Sequence, residues 1–264
     1  MGRIFSIAIT TVRDCTRDAA FFVTLVVFTA LMFLSGWTTF FGLGREAAMV
    51  REMGLSTVAM GALFLLLVQG TGTVASEFRS GALQTVMSKP ARRKDLVLGK
   101  FSGIIGLLAF AIALLTVMFL AMLWLREGRF PFLPAEGEAE AFGFRALKAA
   151  ALIFFEMALV TGFVVFITLL TSRPAAAVIA FAAFTLGHLS EGPAAWLRGR
   201  GGRAGAVLSS LVPRLEFFRV TQAAVDGRPP IEFSRLLLGL AYAATGAAIF
   251  LLAAMIVFEK QEIR

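Results

Sequence analysis

Three side chains are single chemical opportunities in a largely apolar chain. Glu156 is the one acid well inside a long hydrophobic run, His188 is the only histidine and Cys15 the only cysteine. One cysteine excludes an intrachain disulfide, and one histidine excludes a His-rich metal centre within a single chain. Cys15 reads as a small interfacial apolar residue and His188 as a polar residue at a helix end. A charge near the centre of a bilayer costs about 3 kcal/mol even on the milder insertion scale, so such groups face a bundle interior or a water-filled path. Glu156 is therefore a candidate for a transport pathway, with a protonated or hydrogen-bonded packing acid as the alternative.

Other chemistries lack their residues. A phosphate-cradling loop needs GxxxxGK[ST], but the one Gly-Lys pair, Gly99-Lys100, is followed by Phe101 and has Lys94 where the first glycine belongs. The chain is not expected to hydrolyse ATP by itself. Membrane hydrolases need nucleophile–base pairs or metal ligands facing one another, and the apolar runs offer almost none. No enzyme activity, cofactor or metal is expected on this chain.

The elements that must position these residues follow from hydropathy. Of 264 residues, 58% are hydrophobic, and mean hydropathy is +0.84, too apolar for a soluble domain. A spanning helix needs about 20 apolar residues. Windows 19–44, 53–76 and 101–125 contain no charge; 149–172 contains only Glu156; 174–190 is a shorter run opened by Pro174; 236–258 is uncharged. The break at Thr171-Ser172-Arg173-Pro174 predicts a tight helical hairpin. The expected fold is an all-α membrane protein: one permease-like domain, 1–264, with six transmembrane helices. Residues before the first span mix Ile4, Phe5, Ile7, Ala8 and Val12 with Arg13, Asp14, Arg17 and Asp18, which predicts an amphipathic interfacial helix. The stretch 191–235 is expected to hold one or two short helices partly re-entering the membrane, with an ordinary surface loop as the alternative. Gly99 and Gly103 form a GxxxG pattern that permits close helix approach.

Six spans put both termini on one side. Basic residues divide almost evenly between the two faces, so the positive-inside rule alone does not orient the chain. More informative is SEFRSGALQTVMSKPARRKDLVLGK, residues 76–100, with six basic residues between two apolar runs. Within it Phe78, Ala82, Leu83, Val86 and Met87 recur at helical spacing, which predicts a short amphipathic helix. Pro90 ends that helix or starts the next element. Arg92, Arg93 and Lys94 then suit an anionic inner leaflet.

This segment resembles the type-2 permease family of ATP-binding cassette (ABC) transporters, whose members carry LLSKPVSR…LLGK between the second and third of six spans. Glu77, Gly81, Leu83, Ser88, Lys89, Pro90, Arg93, Gly99 and Lys100 match residue by residue, while Ala82 and Ala91 replace the usual Thr and Val. The amphipathic N-terminus, LVPRLEFFRV before the last span, LAYAATGAAIF within it and FEKQEI at the end extend the likeness over nearly the whole chain. The nearest group is the permeases associated with maturation of multi-copper enzymes.

The resemblance implies a permease subunit, an exporter by family tendency. It works as a homo- or heterodimer and is driven by a separate cytoplasmic ATPase that holds ATP and Mg. Its coupling helix would involve Glu77, Phe78, Arg79, Gly81, Leu83, Met87, Lys89, Pro90, Arg92 and Arg93. That segment would then be cytoplasmic, with both termini cytoplasmic in an inner (plasma) membrane, lipid around the spans, and no nucleic acid bound. The runner-up is a self-contained ion-driven secondary transporter or channel, which predicts several paired acids and bases in the spans and an internal repeat. A third reading is a scaffold that anchors an ATPase without transporting.

Overall fold

The structure, a computed structural model, describes residues 2–37, 46–79, 93–128, 130–134, 140–188, 215–218, 224–225 and 232–260. Regular structure among them is entirely helical. Helix α1 (Gly2–Arg17) is followed by α2 (Ala19–Trp37), α3 (Glu46–Leu65), a π-helical turn (Leu66–Gly70) and α4 (Thr71–Arg79). Next come α5 (Arg93–Glu127), α6 (Phe142–Leu170), α7 (Arg173–His188), a 3-10 turn (Glu216–Phe218) and α8 (Phe233–Lys260).

Local chemistry sets the helix ends. Asp18 separates α1 from α2 because its Oδ1 accepts the N–H of Ala20 at 3.1 Å, capping the second helix. Gly128 ends α5 at φ 62°, its N–H on the Trp124 carbonyl at 3.0 Å, a left-handed cap that glycine adopts without steric cost. Thr171 and Ser172 turn the chain between α6 and α7. Pro174 follows in the first turn of α7, where an N–H has no intrahelical partner.

Among the described residues, five helices are long and apolar enough to cross a membrane: Ala19–Trp37, Glu46–Ser76 through the π turn, Lys94–Glu127, Phe142–Leu170 and Phe233–Phe258. This is a multi-pass helical membrane protein. The predicted fifth span lies in α7, which has 16 residues. At 1.5 Å per residue it covers about 24 Å, short of a hydrocarbon core of about 30 Å; its expected last residues, 189–190, lie outside the described residues. Several helices outrun the uncharged windows. α3 starts at Glu46, α5 includes Arg93 through Lys100 as well as Arg126, and α6 starts seven residues before its window, taking in Arg145 and Lys148.

Contacts explain why those charges do not stop the helices. Arg51 Nη2 lies 3.3 Å from Glu127 Oε2, and the Arg51 guanidinium sits 4.6 Å from the centre of the Phe142 ring. Arg126 donates to the Gly36 carbonyl and lies 4.0 Å from Glu46, while Lys148 Nζ is 2.7 Å from Glu140 Oε1. Together they make one polar layer. A second forms where Gln69 Nε2 donates to Asp18 Oδ2 at 3.1 Å and Arg173 Nη2 to the Val68 carbonyl at 3.3 Å. About 27 Å of helix separates Arg51 from Gln69, and about 26 Å separates Glu127 from Phe110, which stacks on Phe21 just after Asp18. The spacing of the layers matches the thickness of a hydrocarbon core.

Beyond the Asp18 layer the bundle continues as a stem. α5 is about 52 Å long, and its first turns run alongside α1 in the same direction. A Cβ on Gly99 would lie 2.7 Å from Ile7 Cβ, and one on Gly103 would lie 2.7 Å from Thr11 Cβ and 3.0 Å from the Ala8 carbonyl. The GxxxG pattern therefore seats α1 on α5. The apolar face expected at the lipid interface is divided: Ile7, Ala8 and Thr11 meet α5, whereas Phe5 and Ile9 stay exposed.

Candidate functional site

Glu156 lies midway along α6 and is buried, 3% exposed. α6 and α7 form an antiparallel hairpin, so residues equally far from the turn meet. Glu156 is about 21 Å before the end of α6, and His188 about 22 Å after the start of α7. Their side chains do meet, with His188 Nε2 3.3 Å from Glu156 Oε1. The approach is close enough for charge pairing but off the direction of a hydrogen bond, so Oε1 has no hydrogen-bond partner among the described residues. His188 Nδ1 is 3.3 Å from the Phe184 carbonyl. That carbonyl only accepts, which fixes a proton on Nδ1 and leaves Nε2 to face the acid.

The end of α7 is closed by a distant segment. Leu215 N–H donates to the Gly187 carbonyl at 3.1 Å, and Leu215 is fully buried. The 3-10 turn that follows puts Phe217 and Phe218 against Gly239 and Tyr242 of α8. α8 in turn packs parallel to α6. A Cβ on Gly162 would meet the Ala247 Cα at 3.0 Å and its carbonyl at 3.2 Å, so the two backbones nearly touch. Glu156 is thereby held between a rigid seam on one side and the α7 end on the other.

At the Asp18 layer the π turn supplies the polar groups. There the Val68 carbonyl accepts from Arg173 Nη2 as well as from the Thr71 N–H, and Gln69 reaches Asp18. Cys15, 3% exposed, lies with Sγ 3.2 Å from Thr73 Oγ1 at the start of α4. Burial pushes its thiol above the ordinary 9.0, outweighing the opposing effect of its contact with Thr73. This fits the small interfacial residue read from the sequence.

Of the predicted coupling residues, Glu77, Phe78 and Arg79 belong to α4, which continues from the span without a break, and Arg93 is the first residue of α5. Gly81, Leu83, Met87, Lys89, Pro90 and Arg92 lie outside the described residues, as does most of 191–235. The pairing of His188 with Glu156 was missed from the sequence, although equal distances from the Thr171-Ser172 turn signal it. Arg145, buried and donating to the Val225 carbonyl at 3.4 Å, was missed too. No protein-family model and no curated protein matches the chain.

Proposed function

We propose that the chain is the transmembrane permease subunit of an ABC exporter, taking its energy from a separate cytoplasmic ATPase docked on residues 77–94. The observation that supports this reading most is the geometry of the stem. α4 and α5 both run past the Asp18 layer on one side, and α5 is braced by α1 through Gly99 and Gly103. Residues 80–92, where the permease-like motif lies, connect the ends of those two helices. A push on that connection would reach the bundle through helices locked to their neighbours, as a coupling element requires. In this reading both termini and the stem are cytoplasmic in the plasma membrane, α7 is the fifth crossing, and the chain works as a pair of permeases.

Co-purification from membranes with a nucleotide-binding ATPase tests it. The intact chain should retain the ATPase, and Glu77→Ala with Arg93→Glu should lose it while remaining folded. Unchanged association would sink the docking proposal. A second reading, the ion-driven transporter, is favoured by one observation, the Glu156–His188 pair. It requires transport in vesicles that contain this chain alone.

A further inference from the structure

The second span is one helix with a break in its register. α3 and α4 run on through Leu66–Gly70, and the π turn between them takes up one residue more than an α turn. Every residue of α4 therefore sits one place behind its α-helical position, about 100° round the axis and about 1.5 Å along it. π turns hold well under 1% of residues in proteins, so side-chain contacts have to compensate for this one.

Two side chains from neighbouring elements meet it. Gln69, within the turn, donates to Asp18 between α1 and α2, and Arg173 Nη2, at the start of α7, donates to the Val68 carbonyl. The guanidinium lies against the helix at Gly72. A Cβ there would stand 2.8 Å from Nη2, 3.0 Å from Cζ and 3.4 Å from Nε, so glycine is what leaves the guanidinium its seat.

The sequence also suits the unbroken α register. Rewound, each α4 residue takes the place now held by its successor: Thr73 that of the fully buried Val74, Val74 that of the buried Ala75, and Ala75 that of the exposed Ser76. Thr and Val share a shape. The Thr73 hydroxyl brings its own acceptor with it, the Gln69 carbonyl at 2.6 Å and four residues back, so burying it leaves no donor unpaired. Val74 is larger than the Ala75 it would replace, which keeps the α register the minor one while Arg173 is seated.

We propose that the π turn is a register switch in the second span and that the Arg173 guanidinium is its latch. Latched, the Val68 carbonyl and Gln69 are held from outside and Ala75 faces inward. Released, the turn winds into α-helix, α4 rotates by about 100° and Ala75 turns outward. Only hydrogen bonds and packing change. Because the latch joins the α6–α7 turn to α4, withdrawal of the start of α7 and rotation of α4 are one event. The switch goes beyond the permease reading and needs no ATPase, so the two fail separately.

The test labels single cysteines with N-ethylmaleimide in the chain in lipid nanodiscs, with Cys15→Ser removing the native thiol. Ala75→Cys and Thr73→Cys are each compared with and without Arg173→Met, which keeps a long side chain and removes the donor. Loss of a hydrogen bond from a charged group shifts a balance about tenfold or more. The Ala75→Cys rate should rise about tenfold, while the half-buried Thr73→Cys labels no faster than before. Equal acceleration at both positions is loosening without a change of register and overturns the proposal, as do unchanged rates at both. Gly72→Ala replaces Arg173→Met if that variant does not fold. Its methyl displaces the guanidinium and leaves α7 untouched, so it should give the same unequal response, and an equal response or none overturns the proposal.

Discussion

Alanine at both Gly99 and Gly103 should release α1 from α5. Each new Cβ would stand 2.7 Å from a side-chain carbon of α1, and backbone carbonyls of Ile4 and Ala8 lie behind at 3.3 and 3.0 Å, so a rotamer change cannot absorb the clash. Overpacking of this kind costs about 1–3 kcal/mol per site. α5 remains helical whether or not α1 is docked, so the better helix propensity of alanine cancels. Taking the low end at both sites gives about 2 kcal/mol, roughly a thirtyfold larger undocked fraction. The native Cys15 reports it, being buried against Thr73 when α1 is docked. Maleimide labelling at neutral pH should accelerate roughly thirtyfold, because local opening limits access. Gly106→Ala is the control: its Cβ would meet Val12 Cγ2 at 3.6 Å, an ordinary contact. A double variant that labels no faster than Gly106→Ala would refute the packing argument.

Gly162→Leu should lower the thermal midpoint in detergent by overpacking worth about 1–3 kcal/mol, since the group it meets is the Ala247 backbone. Gly246→Ala should cost less, because it meets only the flexible end of Leu159. Arg51→Ala should destabilise the bundle by more than about 1 kcal/mol in chemical unfolding, because the Arg51 and Glu127 side chains are largely buried, 16% and 29% exposed, and Arg51 also packs on the Phe142 ring. Docking of α1 should weaken as pH climbs above about 9 and be constant below it, since only an undocked Cys15 ionises at its ordinary pKa. Hydrogen exchange of α1 in the native chain against Cys15→Ser measures that, and the variant should lack the pH response.

Five of the six expected spans were legible because they are continuous, free of internal proline and, apart from Glu156, uncharged, and the hairpin was legible from Pro174 after Thr171-Ser172. Helix ends were not, because Arg51, Arg126 and Lys148 gain acidic partners on other helices or beyond their own and so stay in the folded bundle. The π turn at Leu66–Gly70 has no sequence signature in an apolar run; its effect shows only through the partners of Val68 and Gln69. Gly99 and Gly103 are two of 25 glycines, yet they make the α1 seam, because helix register rather than glycine frequency decides which pairs face a neighbour. Glu156 is legible by its isolation in an apolar run, whereas its pairing with His188 shows in the sequence only through their equal distances from the Thr171-Ser172 turn.

The most direct test of the central claim is an exchange of residues 80–92 for a glycine–serine segment of equal length, leaving α4 and α5 intact. The proposed permease, solubilised from membranes, should bring down an ATP-hydrolysing subunit when native and lose it after the exchange, with Cys15 still protected from labelling in both. Equal recovery of the ATPase with and without the native segment would contradict the account.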